Sequence, residues 1–261
     1  GGGTPNVLSG DAFKRIHHRI YEKFDIKSDA EISMEMNPGP PYLDKVPFYV
    51  KEGIQRVSVG VQSFDPTVLT FYGRNHSVQD SIEFLDMLES SGITNVSIDI
   101  IFGHQDHHIN QLQASLDALI KRSIPHVSLY GLSIEPNTPF ERQKITVDDS
   151  TQYDHYTFLQ STLTNNDYRQ YEVSTFARPG LESRHNIKYL IFESFIGLGP
   201  GAHSFFQGRR YANKSDYRQY TTFLNELVPT ELQTITDQDW PDYIATRLRY
   251  KRPIYRHDIL Q

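Results

Sequence analysis

Four short runs of strand character recur along the first half of the chain, and segments with helical spacing separate them. The runs are residues 31–36 (EISMEM), 55–61 (QRVSVGV), 95–102 (NVSIDIIF) and 126–132 (HVSLYGL). Residues 42–52, 77–90 and 108–122 lie between them and read as helices. Residues 11–24 precede them as a helix, with Phe13, Ile16, Ile20 and Phe24 on one face and Ser9 or Asp11 near its cap. Asn37-Pro38-Gly39-Pro40-Pro41 is a strong breaker after the first run. Strands alternating with helices of this length predict βαβ units and a parallel sheet. In such a sheet, chemistry gathers at the C-terminal strand ends. That rule picks out Glu35 to Pro38, Gln62 and Ser63, Asp99 to Gly103, and Ser133 to Glu135.

From about residue 145 the pattern changes. A Tyr-rich helical stretch (150–165) leads to Tyr171-Glu172-Val173-Ser174-Thr175-Phe176-Ala177, and a Gly-rich segment follows at 197–208. The expected organisation is therefore a parallel α/β region, barrel or open sheet, over 1–145 and a smaller α+β C-terminal region over 146–261.

Charge and cysteine content narrow the function classes. The net charge is −6, from 26 Lys+Arg against 32 Asp+Glu, whereas a general nucleic-acid binder carries a basic excess. The basic cluster of Arg247, Arg249, Lys251, Arg252 and Arg256 reads as a solvated face. The chain has no cysteine, so it offers neither a disulfide nor a thiolate ligand for zinc or iron. No apolar run approaches the roughly 18–20 residues that span a bilayer, and a cytoplasmic location is expected. The opening Gly1-Gly2-Gly3-Thr4-Pro5 lacks an initiator Met and a preceding strand, and it reads as a cut.

Several residues are candidates by type. Glu35 and Asp99 are carboxylates in apolar strand contexts, costly to bury unless paired. Arg56 and Arg74 are available partners, and a structural salt bridge is as good a reading as a site. His104, His107 and His108 are expected to be solvated in a loop, and no metal-ligating set is predicted. His185, in Ser183-Arg184-His185-Asn186, suits an axial heme ligand, a proton donor or an ordinary loop histidine. His203 sits in the Gly-rich segment. GGGTP by itself reads as a turn, and it lacks the Lys-Ser/Thr of a nucleotide-triphosphate loop. There is no Gly-x-Ser-x-Gly and no His-Glu-x-x-His, so no catalytic residue is assigned.

Taken in order, GGGTP, EMNPG, QRVSVGVQSFD, YGRNH, VSIDIIFG, VSLYGLSIEPNTPF, YEVSTFARPG, RHNIKY and GLGPGAHS resemble the HemN/HemW group of radical-SAM proteins over most of residues 1–220. The resemblance implies a partial β/α barrel of six parallel strands with a smaller C-terminal region. It implies a 4Fe–4S cluster on a Cys-x3-Cys-x2-Cys loop that reduces S-adenosyl-L-methionine to a 5′-deoxyadenosyl radical. By the same resemblance, Gly2, Gly3 and Thr4 bind the methionine end of S-adenosylmethionine, and Glu35 contacts it. Gln62, Arg74 and Asp99 match positions that contact a second S-adenosylmethionine, and Ser133 and His203 also match cofactor positions.

Within the group, His185-Asn186-Ile187-Lys188-Tyr189-Leu190 is similar to the heme-linked His-Asn-x-x-Tyr-Trp motif of HemW, with the Trp replaced. The expectation is a HemW-like heme chaperone that binds heme at His185 and delivers it to membrane respiratory proteins. The alternatives are an oxygen-independent coproporphyrinogen III oxidase acting on porphyrinogen, and a non-catalytic remnant. The chain departs from the group in four ways. The cysteine loop and first barrel strands are expected upstream of Gly1, and the C-terminus is short. Gly103-His104-Gln105-Asp106-His107-His108 stands where Gly-Leu-Pro-Gly-Gln-Thr is usual. Ser183 replaces a frequent Cys. This chain alone is expected to do no radical chemistry.

Overall fold

In the computed structural model, residues 4–226, 232–234 and 240–252 are described. A single 3-10 turn (Pro5–Val7) leads to α1 (Gly10–Lys23), β1 (Ser33–Met36), α2 (Pro40–Leu43), α3 (Val46–Lys51), β2 (Arg56–Gln62), α4 (Pro66–Phe71), α5 (Val78–Ser90), β3 (Asn95–Phe102), α6 (Ile109–Lys121) and β4 (His126–Gly131). The chain continues through α7 (Pro139–Arg142), α8 (Asp149–Thr164), β5 (Arg169–Glu172), β6 (Thr175–Ala177), α9 (Arg184–Leu190), β7 (His203–Phe206), β8 (Arg209–Ala212), α10 (Tyr217–Glu226), β9 (Leu232–Thr234) and α11 (Trp240–Arg249).

β1 to β4 pair in parallel in sequence order, as the alternation requires. The sheet has six strands in the order β1-β2-β3-β4-β6-β5. It is mixed rather than wholly parallel, because β6 runs antiparallel to β4. Only two residues separate β5 from β6, and so short a link reverses the chain, whereas a parallel return needs a dozen residues or more.

One sheet face is apolar and covered by helices. Val57, Val59, Val61, Ile98, Ile100, Val127 and Leu129 are 0–1% exposed. Helix residues at three- and four-residue spacing meet them: Phe84, Leu85 and Leu88 from α5, and Leu112, Leu116 and Leu119 from α6. Leu159 and Leu163 of α8 join the same core. Local chemistry sets the helix starts. Ser9 Oγ caps α1 by accepting from Ala12 N, and Ser77 with Asp80 forms a capping box on α5.

The helix expected over 42–52 is two short helices. Pro47 near the start of α3 has no N–H to donate to the preceding turn, so the helix restarts there. The chain forms two compact units. One comprises Thr4–Gln170 with Ser174–Glu182, and the other comprises Tyr171–Val173 and the chain from Ser183 onward. The second contains the three-stranded antiparallel sheet β7-β8-β9. In it the basic cluster is not uniformly solvated, contrary to expectation. Arg247 is 4% exposed, and Arg249 Nη2 lies 2.6 Å from Glu172 Oε1. Arg256 lies outside the described residues.

Candidate functional site

The sheet face opposite the helices is polar near the C-terminal strand ends. Strand register places Glu35 beside Ser58 and Asp99 beside Ser128. Ser58 Oγ donates to Asp99 Oδ1 across β2 and β3 at 3.3 Å, and Thr175 of β6 stands opposite Ser128. Five adjacent strands therefore contribute one line of carboxylates and hydroxyls, because strand side chains alternate faces with period two.

The line is built around Asp99. Burial pushes its pKa up, to about 6. Hydrogen bonds from Ser128 and Ser58 and the Arg74 charge hold it down, while the Glu35 charge pushes it further up. Arg74 is itself partly desolvated, which lowers its pKa, and Asp99 and Tyr72 counter that. Its Nε is buried with no hydrogen-bond partner, so the guanidinium keeps a donor for an acceptor that the protein does not supply. Of the two arginines the sequence offered as partners, Arg74 serves Asp99. Arg56 turns to Asn95 Oδ1 at 2.6 Å and to the Leu181 carbonyl at 3.2 Å.

Gln62 reaches the site through a bulge. The β2–β3 register shifts between Val59 and Gln62, and Gln62 has φ +68°. A non-glycine residue in this region is strained, and such strain recurs where a side chain must be aimed. Gly60 makes the room: a Cβ there would lie 2.7 Å from Asn37 Oδ1 and 3.0 Å from Gln62 Nε2. Gly60→Ala is therefore expected to displace both amides and cost about 1–3 kcal/mol, read by urea denaturation. An unchanged midpoint would contradict this packing.

The other predicted residues are placed as follows. Gly2 and Gly3 lie outside the described residues. Thr4 Oγ1 accepts from Asn37 Nδ2 at 2.9 Å, and the fully buried Asn6 donates to the Asn37 carbonyl at 2.9 Å. The segment after the glycines is thus tied to the end of β1. Ser133 is exposed and donates to Glu135 Oε1 at 2.9 Å.

His185 and His203 belong to the second compact unit. His185 is exposed on α9, and Tyr189, one turn on, holds its Nε2 through the phenol at 2.9 Å. His203 lines a cavity of about 240 Å³ with Tyr189, Phe192, Phe195 and Phe205.

The histidine loop departs from expectation. His104 and His107 are 7% and 3% exposed rather than solvated. Burial lowers the His107 pKa to about 4, and neither of its ring nitrogens has a partner. His104 packs on Phe71, so the loop folds inward to bury its rings. Ser58 and Ser128 were not singled out from the sequence. Their period-two spacing from Gly60 and Tyr130 was visible, but not the carboxylate they would meet.

The radical SAM superfamily matches residues 1–119. The heme chaperone HemW of Escherichia coli K12 is 36% identical over 204 residues, covering 78% of this chain and 54% of that protein. The Lactococcus lactis HemW is 32% identical over 236 residues, covering 88% and 61%. The Bacillus subtilis HemW is 30% identical over 232 residues, covering 87% and 61%. The chain thus spans between about half and three fifths of these relatives. Among solved structures, the radical SAM enzyme coproporphyrinogen III oxidase (HemN) of Escherichia coli superposes with a TM-score of 0.82. It is 22% identical, and the match covers 99% of this chain and 64% of that one. That likeness establishes the partial-barrel fold.

Proposed function

Because the chain belongs to the HemN/HemW group of the radical SAM superfamily, we propose that it is the core of a HemW-like heme chaperone. In this reading the polar sheet face binds S-adenosylmethionine, and the second unit binds heme through His185.

The donor set suits S-adenosylmethionine. Arg74, with its unpartnered buried Nε, would take the amino-acid carboxylate. Gln62 and Asp99 would meet the other polar groups of that same, second S-adenosylmethionine, while Gly2, Gly3, Thr4 and Glu35 would meet the first at its methionine end. Ser133 and His203 remain candidate cofactor contacts. A 4Fe–4S cluster does not fit this chain, which has no cysteine to hold one. No radical step is derived from the residues present. When bound beside such a cluster, S-adenosylmethionine supplies a 5′-deoxyadenosyl radical.

The observation that carries the heme reading is the exposed His185. Its place one helical turn before Tyr189 puts the two rings at 4.8 Å, on one face of α9. Tyr189 also belongs to the aromatic lining of the 240 Å³ cavity, a surface suited to the flat apolar face of a porphyrin. Iron ligation at Nε2 would displace the Tyr189 hydroxyl. Titration of the chain with hemin, followed by its Soret band, tests this. Saturable binding is expected, and His185→Ala is expected to weaken it by roughly tenfold or more. Undiminished binding in that variant would remove His185 from the role. Membrane respiratory proteins are the heme acceptors that this reading implies. Among the described residues, no helix is long and apolar enough to cross a membrane.

A further inference from the structure

We propose that His17, His18 and Glu52 form a binding site for a borderline divalent metal ion of the zinc class, clipping α1 to the end of α3. One ligand atom from each of the three residues lies within 4.8 Å of the others. His18 Nε2 is already 3.3 Å from Glu52 Oε2. Two donors about 2.1 Å from a tetrahedral ion stand roughly 3.4 Å apart, so this pair has the spacing that coordination needs. The third donor, from His17, lies within 4.8 Å of both and must close toward them.

His17 is the independent sign of a ligand. Both its ring nitrogens are buried and neither has a hydrogen-bond partner. Its ring stacks on Phe13 at 5.5 Å and meets the edge of Tyr21 at 4.9 Å, so its orientation is fixed by its neighbours one turn away on each side. The residue is half-buried, and a metal bond would give one of these unpartnered nitrogens its partner.

Glu52 is held for the task. Its side chain is 9% exposed and closes the C-terminal end of α3. Lys14 Nζ approaches Oε1 at 3.5 Å, leaving Oε2 toward His18. Adjacent histidines on a helix diverge by about 100°, and they converge on one ion because Glu52 comes from another element between them. Two imidazoles and one carboxylate favour zinc over magnesium or calcium, which take oxygen ligands. A fourth position stays open to water.

A clip here has a structural use. None of the 14 residues of α1 is buried, and Phe13 meets Phe48 and Tyr49 edge-on. Hydrophobic burial therefore holds this helix weakly, and a metal bond to Glu52 would add a fixed point.

The experiment is calorimetric titration of the full chain with ZnCl2, with Co2+ absorption as a second reading of geometry. The chain has no cysteine, so thiolates cannot account for binding. One equivalent of Zn2+ and a rise in Tm are expected, with Mg2+ far weaker. His18→Ala and Glu52→Gln are each expected to weaken Zn2+ by at least roughly tenfold, the loss seen even for residues that merely orient ligands. The His18 side chain is 61% exposed, so its removal leaves folding intact, as circular dichroism would verify. Absence of binding, equal binding of Mg2+, or full Zn2+ affinity in His18→Ala and Glu52→Gln would overturn the proposal.

Discussion

Asp99→Asn is expected to stabilise the chain by about 3 kcal/mol at pH 7.5 and to leave its stability unchanged near pH 3. The Asp99 carboxyl ordinarily ionises near 3.8, and in the fold it keeps its proton up to about 6. Between those values the native state binds more protons than the unfolded chain, so stability falls as pH rises through the window. Above pH 6 the whole cost is present. Each pH unit of separation is worth 1.36 kcal/mol, and the span from 3.8 to 6 gives about 3 kcal/mol. Asparagine has no charge to desolvate and keeps an acceptor for Ser58 and Ser128. Urea unfolding of the wild-type chain and the variant at both pH values measures the difference. Equal stability at pH 7.5 would mean that Asp99 is better solvated than the structure has it. The same variant is expected to weaken S-adenosylmethionine. A residue whose removal stabilises the fold while weakening a ligand is the signature of a site kept for function.

Phe176→Ala is expected to cost about 3–5 kcal/mol, a large share of the 5–15 kcal/mol by which domains are stable. Phe176 is fully buried and pairs with Val127 across β6 and β4. Its ring belongs to the core cluster that includes Leu159, Leu163 and Tyr168. Truncation removes the ring's transfer free energy and leaves a cavity that strands on a fixed ladder cannot close. Phe206→Ala, on a ring that is 42% exposed, is the control, with less than about 1 kcal/mol expected. Thermal and urea unfolding of both variants test the contrast. Equal, small losses would mean that β6 is not integral to the barrel.

The two variants bear on parts of the molecule that differ in how legible they were. Asp99 stood out in the sequence because a carboxylate between serine and isoleucines in a strand is costly to bury. Its surroundings were only half legible: Arg74 was named as a partner, but Ser58 and Ser128 were not. The strand containing Phe176 was written in the sequence as a motif without a structural role. Three residues carry too little period to distinguish a strand from a turn, and the antiparallel direction depends on the two-residue link before it.

What the sequence determined by itself is what short-range physics controls. Period-two and period-3.6 patterning placed β1 to β4 and α1, α5, α6 and α8 to within a residue or two, and Ser9, one of two cap candidates, marked the start of α1 through a cap that spans three residues. The ordered motifs carried the family. The tertiary structure alone decided which of these residues meet. His104 and His107 are buried because Phe71 and α8 close over a loop that reads as polar. Glu52 reaches His18 from 34 positions away in sequence, and β6 joins β4 across almost 50. Burial, pKa and coordination are sums over neighbours in space, and no local pattern records which distant residues those neighbours will be.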